Sequence, residues 1–288
     1  MNITVTGGNG FLGRHLIEEL KADSHEVVVL GRKSWDTLSG QEPPPESLEH
    51  AGAIVHLAGE PVAQRWTAEA KKRIRVSRVD GTRQLVNALS TLSRRPKILI
   101  CASAIGIYGD RGDEILTEES VTGAGYLAQV TEDWENAAHL AEALGIRVVL
   151  LRFGVVLGRD GGALSKMLPI FRLGLGGKLG SGHQWMSWIH VSDVTALIRY
   201  ALTADTLRGP VNATAPNPVT NAEFTRILAA ALHRPAILPA PAFALKLAYG
   251  EMASVILASQ RVMPVAAEAA GFHFRHPSVG GALADCVM

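Results

Sequence analysis

Net charge is almost absent from this chain: 28 Lys and Arg stand against 27 Asp and Glu, a formal balance of +1. Such a chain has no overall field to draw it to nucleic acid. The run Lys71-Lys72-Arg73 with Arg75 falls on an expected helix and reads as a solvated face. Cysteine is scarce. Cys101 and Cys286 lie far apart, form no disulfide framework, and suit a reducing cytoplasm. Cys101 sits in an apolar strand and reads as a small core residue. No apolar run reaches the ~18 residues of a membrane span; even the stretch 148–158 is interrupted by Arg152. Neither a membrane partner nor a leader peptide is therefore expected. Histidines are scattered, and His273-x-x-His276 has no cysteine or acid beside it, so no metal is expected. Repeats at a period of ~20–50 residues are also missing.

What the chain has is apolar residues, 47% of the total, in a length of 288 that admits one large or two small domains. Short β-rich runs alternate with helical ones. Strands are expected at Ile3–Thr6, Glu26–Leu30, Ala53–Leu57, Lys97–Ala102 and Arg147–Leu151. Their unbroken apolar runs read as burial on both faces. Leu12, Leu16 and Leu20 mark a helix facing a sheet. Longer helices are expected over Thr67–Leu92, with Thr67 as N-cap, and over Ala128–Leu144. Alternation of this kind implies a doubly wound parallel α/β sheet of Rossmann type. Residues 1–157, completed by parts of 188–214, form the expected dinucleotide-binding domain. After Leu157 the chain becomes glycine-rich. Helices are expected over Ala163–Arg172, from Asp193, from Thr220-Asn221 to Leu232, and over Phe243–Ser259, with a strand at Trp188–Val191. Residues 158–288 read as a smaller, mainly helical substrate lobe with a C-terminal extension.

Gly8-Asn9-Gly10-Phe11-Leu12-Gly13 fits G-x-G-x-x-G, and it sits between a strand and an amphipathic helix, where a phosphate-binding turn must lie. Gly7 and Gly8 permit a tight turn with positive φ. Gly10 lets backbone approach a pyrophosphate, Gly13 lets the helix pack on the strand, and the first helical N–H groups bind the anion. NAD binders place a carboxylate about 20 residues further on. Here the second strand ends Leu30-Gly31-Arg32-Lys33, with no acid between Val27 and Trp35. Gly31 leaves room, and Arg32 and Lys33 stand where a 2′-phosphate would lie. NADP(H) is thus expected ahead of NAD(H); the alternative is a solvated Arg-Lys pair in a loop.

The chain resembles the extended short-chain dehydrogenase/reductases, and within them the atypical "epimerase family protein" group of the NAD-dependent epimerase/dehydratase superfamily. The Gly7–Gly13 turn, Leu57-Ala58-Gly59-Glu60, Ser77-Arg78, Ser103-Ala104-Ile105-Gly106-Ile107-Tyr108-Gly109 and Asp133-Trp134-Glu135 carry the resemblance. So do Arg152-Phe153-Gly154-Val155-Val156-Leu157-Gly158, Gly180-Ser181-Gly182-His183-Gln184-Trp185 and Trp188-Ile189-His190. It implies that Leu57, Ala58 and Gly59 pass beside the adenosine and pyrophosphate, and that Arg78 lies near the cofactor. It also implies that Ala102 and Ser103 underlie the nicotinamide ribose and that Val155 flanks the nicotinamide. Phe11 and Leu12 belong to the same turn. Family members often pair through helices equivalent to Thr67–Leu92 and Ala128–Leu144, so a homodimer is an expectation of the resemblance.

One part of the superfamily pattern is missing. A Tyr-x-x-x-Lys pair normally supplies a tyrosine whose pKa the lysine lowers. Here Val130 stands four residues after Tyr126, and no lysine occurs between Lys97 and Lys166. Ser103 and Tyr126 remain the candidate catalytic residues, as proton-handling or substrate-orienting groups. Tyr108, after the fourth strand, is a candidate to line the substrate site, the alternative being a half-buried packing tyrosine. Where members that take nucleotide sugars carry an arginine for the diphosphate, this chain has Met186. Trp185 and Met186 are then read as an apolar pocket wall, the alternative being core packing between the lobes, and the substrate as a small carbonyl or alcohol other than a nucleotide sugar. The leading expectation is an NADP(H)-dependent oxidoreductase or epimerase-like enzyme. Its rival is a dinucleotide-binding sensor without turnover.

Overall fold

The computed structural model describes residues 1–287. Its centre is a six-stranded parallel sheet of β1 (Asn2–Thr6), β2 (Glu26–Leu30), β3 (Ala53–His56), β4 (Ile98–Ala104), β5 (Arg147–Phe153) and β6 (Gly209–Ala213). The spatial order is β2-β1-β3-β4-β5-β6. β1 pairs with β2 on one side and β3 on the other, so the direction of winding reverses between β1 and β3. A ligand crevice opens beyond the carboxyl ends of the strands at such a reversal.

Side-chain alternation fills both faces of the sheet. Ile3, Val5, Ile100 and Leu151 point to the side covered by α1 (Phe11–Ala22) and, later in the chain, by α5 (Val191–Thr203). Ile54, Leu99, Cys101 and Leu150 point to the side covered by α2 (Ala68–Thr91) and α3 (Tyr126–His139). Successive strand residues face opposite ways, so an unbroken apolar run is what a doubly covered strand requires. β2 departs from this. It is an edge strand with Val28 exposed, although its Val-Val-Val-Leu run suggested burial on both faces. Thr67 caps α2 as expected, accepting from the N–H of Ala70. β6 carries no strand signature that the sequence alone reveals. It opens Gly209-Pro210, and proline is tolerated at a sheet edge, where its missing N–H leaves no ladder bond unmade.

The second lobe is built on Val155–Gly158, Trp188–His190 and Gly161–Gly162, with α4 (Leu164–Arg172) and α6 (Asn221–Ala231). The single helix expected over Phe243–Ser259 is broken. α7 (Ala242–Tyr249) stops at Gly250, whose φ of 60° no right-handed helix accepts. A 3₁₀ turn and α8 (Ala253–Leu257) follow. α9 (Val265–Ala269) and α10 (Val279–Val287) then complete the chain. Ala267 and Phe272 belong to the core of the central sheet, so the segment around α9 returns to the first domain, whereas α10 packs into the second lobe's core, Leu283 in one cluster with Phe224 and Leu228 of α6.

Candidate functional site

A cleft of about 810 Å³ lies at the carboxyl ends of β1, β3, β4 and β5. Its floor at one end is the glycine turn. Gly7 has φ +69°, and a Cβ there would stand 2.7 Å from the Ala58 nitrogen. A Cβ on Gly13 would stand 2.5 Å from Gly8 Cα, so only glycine lets α1 seat on the turn. Gly8 itself does not need a positive φ, contrary to the sequence reading; its hydrogen is required because a Cβ would meet Val29 at 2.6 Å. α1 begins without a capping side chain and without an acid in its first turn. Its first N–H groups have no intrahelical acceptor and bear the positive end of the helix dipole. A cradle that a Cβ would fill, beneath free amides, fits a dinucleotide's pyrophosphate.

The cleft continues over Leu57, Ala58, Gly59, Arg78, Ala102, Ser103 and Val155. Arg78 is the only cation along this lining, half-buried and donating to the carbonyls of Glu60 (2.8 Å) and Ile74 (3.3 Å). Desolvation lowers its pKa to about 10, with Tyr126 and Glu60 acting the other way, so it stays charged at neutral pH. Ser103 is almost fully buried and donates its hydroxyl hydrogen to Glu135. Glu135 is also gripped at both oxygens by Arg152, at 2.8 Å each. With its hydrogen so engaged, Ser103 presents lone pairs rather than a proton to the cleft. Tyr126 also lines the cleft, and its hydroxyl donates to the Lys71 carbonyl. Desolvation raises its pKa despite the opposing charges of Arg78 and Arg75. Arg78 pulls the tyrosine's pKa down but is outweighed by burial, so it does not replace the missing lysine.

Three expected pocket residues lie elsewhere. Tyr108 is wholly buried beneath the site, its hydroxyl donating to Asn212 Oδ1 (2.7 Å) and accepting from Arg152 (2.9 Å). A 3₁₀ turn over Ile105–Tyr108 carries its ring inward, away from the crevice. Trp185 and Met186 pair with Thr220 and Val219 outside the cleft; Arg261 covers the Trp185 ring, and Trp185 Nε1 donates to Asp113. Gly31, Arg32 and Lys33 do not line the cleft; they follow β2, whose Leu30 carbonyl accepts from the Gly7 N–H at 3.0 Å. Arg32 is 65% exposed and pairs with Glu60 at 3.2 Å. The walls that sequence reasoning missed are Val62, Trp66, Glu251, Ser254, Val255, Ala258 and Gln260. Nothing local in positions 251–260 signals that they reach back across the chain.

Among the described residues, His190, His276 and Asp285 converge closely enough to raise the question of a metal. His190 Nδ1 accepts from the Ser192 N–H, so the neutral ring carries its proton on Nε2, 3.2 Å from Asp285. Both nitrogens of the His190 ring are then engaged, and His276 packs against that ring with centroids 4.1 Å apart, so the trio is accounted for as packing where α10 meets α5.

Residues 3–213 match the NAD dependent epimerase/dehydratase family, to which the chain therefore belongs. Residues 240–286 match DUF1731, a domain of unknown function. Among individual proteins, the chain is 42% identical to the epimerase family protein SDR39U1 homolog, chloroplastic, of Arabidopsis thaliana. That alignment covers 98% of this chain and 86% of the relative. Epimerase family protein YfhF of Bacillus subtilis (strain 168) is 40% identical, covering 100% and 98%. The crystal structure of human epimerase family protein SDR39U1 (isoform 2) with NADPH superposes with a TM-score of 0.92 at 35% identity, covering 99% of each chain. No helix among the described residues is long and apolar enough to cross a membrane.

Proposed function

We propose that the cleft binds NADP(H) in preference to NAD(H), and that the protein reduces a small uncharged carbonyl compound. The observation that carries this reading is the continuity of one cleft from the glycine turn to a chamber walled by Val62, Trp66, Tyr126, Leu127, Val155 and Val255. In it the Phe11, Leu12 and Gly13 amides hold the pyrophosphate, Arg32 and Lys33 meet the 2′-phosphate, and Ser103 accepts a hydrogen bond from a ribose hydroxyl or carboxamide. When bound, the nicotinamide supplies the hydride. Arg78, the one cation along the cleft, already donates to the Glu60 and Ile74 carbonyls, so the chamber is poorly equipped to hold a sugar diphosphate. Tyr126, kept protonated by its raised pKa, suits the donation of a proton to a nascent alkoxide rather than its removal from an alcohol.

A second reading has its own support. Both candidate hydroxyls donate to protein acceptors, Ser103 to Glu135 and Tyr126 to Lys71. That arrangement suits a dinucleotide sensor that does not turn over. Titration of NADPH and NADH followed by nucleotide fluorescence tests the binding step. NADPH should bind more tightly, and Arg32→Asp should weaken NADPH by about tenfold, the equivalent of one exposed charge-assisted contact with a phosphate. An unchanged NADPH/NADH ratio in the variant removes Arg32 from the account. A panel of uncharged aldehydes and ketones then separates enzyme from sensor: NADPH oxidation that Tyr126→Phe abolishes supports the first, and binding without any turnover supports the second.

A further inference from the structure

Acids and bases nearly cancel over the whole chain, yet two segments break the balance. Residues 161–192 and 224–250 hold Lys166, Arg172, Lys178, Arg226, Arg234 and Lys246 and not one aspartate or glutamate. The fold places these segments side by side. The Leu238 N–H donates to the Gly176 carbonyl at 3.1 Å, the Ala240 N–H to the Lys178 carbonyl at 2.9 Å, and Arg234 Nε to the Arg172 carbonyl at 3.0 Å. Lys178, Arg226 and Arg234 line a shallow cleft of about 470 Å³. Thr225, 5% exposed, lines it too, and its hydroxyl oxygen has no partner.

The same segments display large apolar side chains to solvent. Leu173 is 73% exposed, Ile237 76%, Phe243 74% and Leu247 78%, with Leu175 and Leu238 more than half exposed. Phe243 and Leu247 are four residues apart on α7 and share a face, while Leu245 is the helix's one buried residue. Apolar exposure concentrated in this way marks an interaction surface. It adjoins the mouth of the nucleotide cleft. Lys166 Nζ reaches the Ala63 carbonyl at 3.1 Å, next to the cleft residue Val62. At the other end of α7, Glu251 both lines the cleft and pairs with Lys71 at 2.6 Å.

We infer that this cation-rimmed apolar face docks on a lipid bilayer containing anionic headgroups, with Phe243 and Leu247 entering the interface and the Lys178–Arg226–Arg234 cleft taking a headgroup phosphate. The chemistry is that of a peripheral anchor: apolar residues buried to the depth of the headgroups and cations facing anionic lipid. Charge complementarity selects this occupant over a second copy of the chain. In a two-fold dimer the same patch meets itself, which would set Lys178, Arg226 and Arg234 of the cleft against their own copies. The expectation of no membrane partner rests on the lack of a spanning segment, which a surface-docked protein does not need, and this inference departs from it. The inference stands apart from the dinucleotide reading, because lipid binding can be measured with no nucleotide present.

The test is flotation of the full-length protein with phosphatidylcholine vesicles and with equimolar phosphatidylcholine–phosphatidylglycerol vesicles. Binding should require phosphatidylglycerol and weaken as salt rises. F243E/L247E should lower the vesicle affinity at least tenfold. K178Q/R226Q should lower it about 25-fold, about fivefold for each cation removed. All four positions lie outside the cofactor cleft, and unchanged melting temperatures will show that the variants fold. Absence of binding at low salt overturns the inference. So does displacement by millimolar inorganic phosphate with F243E/L247E binding like the wild type, which would make the cleft a free-anion site. Sedimentation gives a third refutation: a wild-type dimer that F243E/L247E dissociates, without vesicle binding, would make the face a contact between copies.

Discussion

His56 ends β3 with its ring wholly buried, one nitrogen 2.7 Å from the Thr6 hydroxyl and the other 3.1 Å from the Thr82 hydroxyl. Burial, and then the charge of Arg78, lower its pKa to about 4. Because the unfolded chain binds that proton near the ordinary 6.5, the unfolded state gains it first as pH falls. The contribution to stability is therefore complete above pH 6.5, declines on the way down to about pH 4, and is flat below. Its size is on the order of 3 kcal/mol. Urea midpoints at pH 7 and pH 5 should fall for the wild type and fall less for His56→Gln; equal slopes would refute the assignment. At this scale the sequence was readable where backbone dictates the residue and obscure where a side chain's direction decides. Gly7 and Gly13 could be read because no other residue fits their turn. Tyr108 could not, since the position after β4 points to the crevice while a 3₁₀ turn, invisible in composition, carries the ring beneath it.

α3, β4 and β5 are joined by one buried ion pair. Arg152 on β5 grips Glu135 on α3, Ser103 on β4 donates to the same carboxylate, and Tyr108 accepts from the same guanidinium. Removing one charge from so dry a pair leaves the other without compensation. Glu135→Gln should cost about 3–5 kcal/mol, whereas the double variant E135L/R152M should recover most of it. Chemical denaturation measures both; a single-variant loss under about 1 kcal/mol would show that the pair is not what ties the helix to the sheet. The elements themselves were legible in proportion to their periodicity. α1 and α2 followed from their apolar spacing and the Thr67 cap. The break at Gly250 did not, because one glycine in a helical pattern is compatible with continuation until its φ is known. β2 was misjudged because a Val-Val-Val-Leu run is equally consistent with a strand that only the outer helix layer half covers.

For the molecule as a whole, the two lobes and the C-terminal segment share one cleft. The Phe11 ring, at the start of α1, lies so close to Gly158 and Gly161 that a Cβ on either would collide with it. Glu251, Ser254, Val255 and Ala258 close the far wall from a segment nearly 250 residues away in sequence from the glycine turn. Sequence reasoning reached the nucleotide half of this site, which follows one strand–turn–helix unit, and missed the distal wall, which exists only through tertiary packing. On the proposed reading, a dinucleotide seated at the glycine turn and reaching the 251–258 wall would stabilise both together. NADPH at about 100 times its Kd should raise the unfolding free energy by about 2.7 kcal/mol, shifting a single cooperative melting transition upward by several degrees. It should also slow proteolysis between residues 241 and 258, although no phosphate contact lies there. If NADPH raises the melting temperature but leaves cleavage at 241–258 unchanged, the nucleotide occupies the first domain alone and the far wall belongs to the substrate.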